Sequence, residues 1–295
     1  MTYVPIIAGL VAAFCWGTAD YLSKSQSERI GYYKTVVYSQ MVTLVVLVAS
    51  VPVIDPSPVL STGPLLVLTG AGVLNLLAFI YLYSAYHKGV VSVVAPVAYS
   101  YPAVTAVLSV AILGVFLSLE QVLAVAGVIA GVGLLSTRFS ELRGYLGGAG
   151  SARVTAGVGP ALGSAIIFGT VYVAIGYAAP LVSLTIPAVM LRAVAVTVGL
   201  LIAPIIKQDV RPSRLVFSNT IITMGFLEAA GFLVFTYAIL SPGGSLPVVA
   251  AIAGMGGAVA ASYGLALLKE RLELNQVAGV VLALVGVFAL LYLGG

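Results

Sequence analysis

Charged residues are the scarcest feature of this sequence. Asp, Glu, Lys and Arg together make up 7% of its 295 residues, whereas a soluble domain usually devotes about a quarter of its residues to them. Hydrophobic residues make up 61%, and the mean hydropathy is +1.17. No water-soluble fold buries that much apolar surface, so the composition excludes one and indicates a membrane protein.

Cysteine and histidine are nearly absent as well. The single cysteine, Cys15, excludes an internal disulfide framework and a cysteine-rich metal site, and the single histidine, His87, leaves little material for histidine ligation of a metal. The sequence contains no P-loop, GxSxG, HExxH or CxxC motif, so ATP-driven transport by this chain and familiar hydrolase chemistry lack support. We therefore expect no metal, no cofactor and no enzymatic activity.

Long apolar segments are what the sequence has instead. Their length of about 20 residues suits a helix that crosses about 30 Å of hydrocarbon at about 1.5 Å per residue. The first segment lacks the basic region of a secretory signal, so we expect it to be retained as a helix. The pattern predicts an all-α polytopic membrane protein with ten transmembrane helices. These spans 1 to 10 lie at 4–23, 35–54, 64–86, 90–114, 119–136, 155–178, 184–206, 219–240, 244–267 and 274–293.

The distribution of basic residues tests the number of spans. With ten spans, the side of the membrane that holds both termini carries no Lys or Arg. The positive-inside rule then predicts a multi-pass protein of the cell (inner or plasma) membrane with both termini outside. Because the loops account for the basic charge, we expect no nucleic-acid partner. Apart from Arg192 inside span 7, the basic residues all lie in the predicted cytoplasmic connections: Lys24, Arg29, Lys34, Lys88, Arg138, Arg143, Arg153, Lys207, Arg211, Arg214, Lys269 and Arg271.

The two halves of the chain match each other in register. A polar, Gly-rich segment at 137–154 separates a first unit at 1–136 from a second at 155–295. "WGT" at 16–18 corresponds to "FGT" 152 positions later, "LNLLAF" at 74–79 to "LEAAGF" 153 positions later, and "FLSLEQV" at 116–122 to "RLELNQV" 155 positions later. Five spans per half is an odd number, which predicts a 5+5 inverted repeat. Inverted repeats are typical of transporters, although a duplication that serves stability alone gives the same pattern.

These features resemble the drug/metabolite transporter superfamily, and in particular its EamA-type members. The resemblance is carried by the two repeats, "WGT", the basic Arg192 in span 7 and "LLKERLELNQVAGVVLALVGV" at 267–287, where Glu270, Leu272, Gln276 and Gly279 match the family's motif. It implies a ten-helix transporter of small organic metabolites, with export as the direction. The sequence departs from internal symmetry at Gln40, which stands where the second half has Arg192.

Polar residues inside spans are costly and usually face the protein interior or a water-filled cavity. Glu228 and its repeat counterpart Asn75 lie near mid-membrane, and each is followed four residues later by a phenylalanine, Phe232 and Phe79 respectively. Glu228 is either a site for a proton or a substrate ammonium group, or the structural partner of Arg192. Arg192 in turn either pairs with Glu228 or binds a substrate carboxylate.

Aromatic residues matched across the repeats suggest the walls of a central cavity that stacks a ring-bearing or cationic substrate. Asp20 lies on the same helix face as Trp16; an i,i+4 ion pair with Lys24 is its simpler interpretation, and coupling to protons is the alternative. The candidate substrate-binding residues are Trp16, Asn75, Phe79, Tyr99, Phe168, Tyr172, Arg192, Glu228, Phe232 and Tyr263, and the candidate coupling residues are Glu228 and Asp20.

Prolines and small residues mark spans 4 and 9. Pro96 and Pro102 in span 4 and Pro247 in span 9 remove backbone hydrogen bonds, so we expect bends there. The run "AGMGGAVAASYG" at 253–264 predicts close packing of span 9 against its neighbours.

Together these observations predict a secondary active transporter of small organic metabolites, with amino acids favoured, that works by alternating access through a cavity between the repeats. The partners expected are a small-molecule substrate, membrane lipid and protons, in a monomer or homodimer. Two alternatives stay open: an exchanger of phosphate-bearing metabolites or nucleotide sugars, and a structural membrane subunit that does not transport.

Overall fold

A computed structural model describes residues 3–89, 91–137, 139, 151–268 and 273–293. Most of the linker at 137–154 and the motif residues Glu270 and Leu272 lie outside this part. The described chain forms twelve α-helices and two short 3₁₀ helices, at Ala179–Leu181 and Arg214–Phe217. The α-helices are α1 Val4–Ile30, α2 Tyr32–Ile54, α3 Thr62–Lys88, α4 Val91–Ala98, α5 Tyr101–Leu113, α6 Leu119–Ser136, α7 Ser151–Ala178, α8 Ile186–Ile202, α9 Asn219–Leu240, α10 Leu246–Ala253, α11 Gly256–Leu268 and α12 Leu274–Leu293.

The ten predicted spans account for all twelve of these helices. Spans 1, 2, 3, 6 and 8 correspond to α1, α2, α3, α7 and α9, which are long and apolar enough to cross a membrane. Spans 5, 7 and 10 are the shorter apolar helices α6, α8 and α12. Spans 4 and 9 each consist of two helices, α4 with α5 and α10 with α11. The predicted all-α fold with ten spans is therefore confirmed.

The breaks in spans 4 and 9 lie at corresponding positions of the two halves. Span 4 breaks at residues 99–100, and Pro102 occupies the first turn of the helix that follows. Span 9 breaks at residues 254–255, within the glycine-rich run. The expected bend at Pro247 is wrong, because this proline lies in the first turn of α10, where no intrahelical hydrogen bond is lost.

Contacts between spans are equivalent in the two halves: when each span is replaced by its counterpart in the other half, the same contacts are found. Span 1 packs on span 8 as span 6 packs on span 3, and span 2 packs on span 8 as span 7 packs on span 3. Span 5 packs against its own counterpart, span 10. The two halves therefore contribute equivalent surfaces to one shared core.

The glycines of the "WGT" and "FGT" motifs allow two of these contacts. A Cβ at Gly17 would collide with the backbone oxygen of Gly256 in span 9. A Cβ at Gly169 would lie 2.5 Å from Cβ of Val104 and 3.1 Å from the backbone oxygen of Tyr101 in span 4. Each motif thus holds the first span of one half against the broken span of the other half, which places the breaks at the centre of the protein.

Spans 2 and 7 are joined near both ends by corresponding aspartates. Asp55, after span 2, accepts hydrogen bonds from N and Oγ1 of Thr185, both at 2.6 Å. Asp209, after span 7, forms an ion pair of 3.2 Å with Nζ of Lys34. The N–H of Arg211 and then the Lys34 ammonium hold the pKa of Asp209 below its usual value. Asp209 therefore stays ionised, and this contact persists, until the pH falls below that lowered pKa.

Candidate substrate site

A cavity of about 30 Å³ lies where spans 1, 3, 4, 6 and 8 meet. Its volume accommodates a water molecule or two and is too small for an organic metabolite. The walls combine aromatic rings with two carboxyl groups. The lining residues are Trp16, Asp20, Phe79, Leu82, Ala98, Tyr99, Tyr101, Phe168, Tyr172, Glu228 and Phe232.

The aromatic walls are built from repeat-equivalent side chains. Trp16 and its counterpart Phe168 come from spans 1 and 6, and both contact Tyr172, with ring centroids 5.7 Å and 6.2 Å away. The second pair, Phe79 and Phe232, comes from spans 3 and 8; Phe79 meets Phe168 edge to face at 5.0 Å, and Phe232 meets Trp16 at 5.2 Å. These centroid distances are typical of favourable aromatic pairs. The predicted matching of rings across the repeats is thus present at the cavity.

Arg192 and Glu228 form a buried ion pair at the edge of the cavity. Nη2 of Arg192 donates to Oε2 of Glu228 at 3.1 Å, and the two side chains are 0% and 3% exposed. The guanidinium carbon lies 4.2 Å from the Phe232 ring centroid and 5.1 Å from that of Phe79, within the range of cation–π attraction. The pairing predicted from the sequence is therefore confirmed. Arg192, the basic residue predicted inside a span, is thus stacked on two aromatic rings of the cavity and does not line the cavity itself.

Asp20 is the second acid of the cavity, and its partner differs from the predicted one. Its Oδ2 accepts a hydrogen bond from the Tyr99 hydroxyl at 2.6 Å, and the residue is 5% exposed. No ion pair joins Asp20 to Lys24 in the described structure, so the simpler interpretation of Asp20 as a boundary ion pair is wrong. The physical reason is the fold of span 1, whose helix continues to Ile30 and leaves Asp20 inside the protein.

The break in span 4 positions the Tyr99 hydroxyl. Tyr99 follows directly after α4, outside the regular helix, and its ring packs against span 9. Cβ atoms at Gly256 and Gly257 would lie 2.9 Å and 2.8 Å from ring atoms of Tyr99, so larger residues there would displace the ring. The two broken spans thus meet at the tyrosine that binds Asp20.

Besides Arg192, two predicted site residues lie away from the cavity lining. Asn75 is fully buried on α3, and neither atom of its amide has a hydrogen-bond partner in the described structure. Tyr263 stacks on Tyr21 at 5.1 Å and shares a hydrogen bond of 3.0 Å with Thr18. The structure therefore places Tyr263 beside span 1 but not among the lining residues.

Four residues that line the cavity or pack on its aromatic walls are not among the residues predicted from the sequence. Tyr101, Leu82 and Ala98 line the cavity, and Phe235 packs on Trp16 and Tyr172. Tyr101 stands two positions after Tyr99 across a helix break, so no helical periodicity links the two residues. Phe235 could have been found, since it follows Phe232 at i+3 on the same helix. Within the part of the chain that the structure describes, no group of three His, Cys, Asp or Glu residues could hold a metal.

Comparisons with known proteins agree with this architecture. No curated protein matches the sequence at a significant level. A crystal structure superposes with a TM-score of 0.76 over 98% of both chains at 17% sequence identity, a likeness that shows the fold alone. The model of the EamA-like transporter family matches residues 4–137 and 155–292, one segment in each half. This match confirms the resemblance noted in the sequence, and the chain is a multi-pass membrane protein that belongs to the EamA-like transporter family.

Proposed function

We propose that this protein is a secondary active transporter of small organic metabolites that carry an amino group, with amino acids among them, and that its substrate binds in the central cavity. The observation that carries the proposal is the composition of the cavity. Repeat-equivalent aromatic rings from both halves surround two carboxyl groups deep inside a membrane protein. Aromatic faces and carboxylates both attract ammonium groups.

Alternating access is the mechanism that we infer for it. The cavity of about 30 Å³ has to enlarge before a metabolite can enter. Spans 4 and 9 are broken next to the cavity, so they can bend there without loss of further helical hydrogen bonds. The equivalence of span contacts in the two halves supports two equivalent conformations of the protein, one open to each side of the membrane, as in transporters with inverted repeats.

Protons are the coupling ion that we propose, and the structure favours Asp20 over Glu228 as their carrier. Glu228 already has a cationic partner in Arg192, whereas the partner of Asp20 is the neutral hydroxyl of Tyr99. A carboxylate without a cationic partner can hold a proton in one half of the cycle and a substrate ammonium in the other. We place the basic loops on the cytoplasmic side of the cell membrane. Exchange of an entering proton for a substrate that leaves the cell then corresponds to export.

The exchanger of phosphate-bearing metabolites or nucleotide sugars has less support. A phosphate group requires several cationic or N–H donors. None of the described cavity-lining residues is basic, and Arg192 is engaged with Glu228.

Uptake into proteoliposomes tests the proposed function. The purified protein should accumulate at least one of a panel of amino acids and quaternary amines when a pH gradient is imposed, and Asp20→Asn should abolish the effect of the gradient. A protein that exchanges none of these compounds, with or without a gradient, would refute the proposal. That result would favour a structural subunit, in which Glu228→Gln and Asn75→Ala have no transport phenotype.

A further inference from the structure

We propose that the cavity is a site for organic monocations, in which Asp20 binds the cationic group and discriminates against zwitterions and anions. This inference rests on the proposed function and narrows it from amino-bearing metabolites in general to amines that lack a carboxylate. The charges around the cavity and the contacts of Asp20 support it.

The two acids of the cavity are not equivalent. Glu228 is neutralised by Arg192 at 3.1 Å, so that pair contributes no net charge to the site. Among the described residues, the partner of the Asp20 carboxylate is the Tyr99 hydroxyl, at 2.6 Å. In the part of the chain that the structure describes, the charged side chains that line the cavity or pair with a lining residue therefore sum to one negative charge when Asp20 is ionised, which a ligand with one positive charge balances.

Among the residues that the structure describes, those that interact with Asp20 from neighbouring spans carry no positive charge. Tyr99 comes from the break of span 4, Tyr86 from span 3 and Tyr101 from α5, and all three are buried. Trp16, one helical turn before Asp20, presents an aromatic ring to the same cavity. A cation at Asp20 thus meets a carboxylate and electron-rich rings, both of which stabilise it.

A carboxylate on the ligand has no comparable partner. Nε and Nη1 of Arg192 lack hydrogen-bond partners in the described structure, but they are fully buried and do not belong to the cavity lining. To reach them, a ligand would have to displace Phe79 or Phe232, whose rings pack on the guanidinium. The carboxylate of an amino acid would otherwise lie beside Asp20, whose like charge repels it when Asp20 is ionised.

Binding measured with three ring-matched probes tests this proposal. Phenethylammonium, phenylalanine and 3-phenylpropionate share a phenyl ring and differ in charge. Trp16 is the only tryptophan in the sequence and lines the cavity, so its fluorescence in the purified protein reports occupancy. We expect the cation to bind at least about tenfold more tightly than the zwitterion, a difference of about 1.4 kcal/mol, and the anion to bind most weakly.

Variants of Asp20 assign this preference to one side chain. Asp20→Asn should lower the affinity for phenethylammonium by at least about tenfold, whereas Asp20→Glu, which keeps the charge, should preserve the order of the probes. Glu120→Gln, a change of an exposed acid on α6, serves as the matched control and should change nothing. The relative affinities of the three probes are measured on the unmodified protein. The proposal can therefore be refuted even if the Asp20→Asn protein does not fold.

The outcomes separate this inference from the proposed function. If phenylalanine or phenylpropionate binds as tightly as the cation, or if Asp20→Asn retains the preference for the cation, the inference is wrong. Exchange of labelled phenylalanine by such a protein would still leave the proposed function standing. Selective binding of the cation without transport of any compound in proteoliposomes would refute the proposed function and would leave the inference about the cavity standing.

Discussion

Glu228→Gln is expected to destabilise the protein far more than the small change in side-chain volume suggests. The substitution leaves the guanidinium of Arg192 completely buried, without its carboxylate and stacked on Phe79 and Phe232. Removal of one partner of a buried ion pair costs about 3–5 kcal/mol, because the remaining charge is uncompensated. The aromatic contacts of Arg192 are already present in the unmodified protein, so they do not replace the lost carboxylate.

A double-mutant cycle measures this coupling. The free energy of unfolding can be followed through Trp16 fluorescence as purified protein is titrated with a denaturing detergent. We expect Glu228→Gln and Arg192→Gln each to lower that free energy by about 3 kcal/mol or more, and the double variant to recover at least about half of the summed loss. Single changes that cost below about 1 kcal/mol, or that add up in the double variant, would refute the reasoning.

Asn75 supplies the matched control in the other half. It occupies the position that corresponds to Glu228, and its amide has no hydrogen-bond partner in the described structure. Replacement of a buried polar group without a partner by an apolar group of similar shape is neutral or stabilising. We therefore expect Asn75→Leu to leave the free energy of unfolding unchanged or to raise it; a loss as large as that of Glu228→Gln would contradict this.

Two further predictions concern packing and the ends of the spans. A Cβ at Gly231 would collide with Nε1 of Trp16, so Gly231→Ala should shift the Trp16 emission maximum and slow transport; an unchanged spectrum would argue against this contact. Asp55→Ala removes two charge-assisted hydrogen bonds and should lower the free energy of unfolding by about 2 kcal/mol. The corresponding change at the exposed Asp209, which breaks its pair with Lys34, should lower it measurably less at pH 7.

The ten spans and the repeats could be predicted from the sequence because both are local or periodic properties. A span needs only a sufficiently long apolar segment, and the nearly constant offset between the halves equates Trp16 with Phe168 and Asn75 with Glu228. The Arg192–Glu228 pair was also predictable, since two opposite charges inside a membrane have few other partners. The structure confirms the spans and this pair.

The contact between Asp20 and Tyr99 could not be predicted in the same way. It depends on the point at which span 4 breaks and on how closely the glycines of span 9 approach the Tyr99 ring, and neither property is periodic. Sequence spacing instead favoured Lys24, four residues from Asp20 on the same helix. Tyr263 was misleading for a related reason: depth within a span does not tell which neighbour a side chain faces.

One comparison of transport rates tests most directly whether substrate passes through the central cavity. Ala98 lines the cavity, and Ala103, a few residues later in the same span, is exposed on the surface. Exchange of labelled phenethylamine or phenylalanine in proteoliposomes should be lost in Ala98→Leu, which fills the cavity, and should be retained in Ala103→Leu. Equal exchange rates for the two variants, at equal amounts of folded protein, would contradict the central role of this cavity.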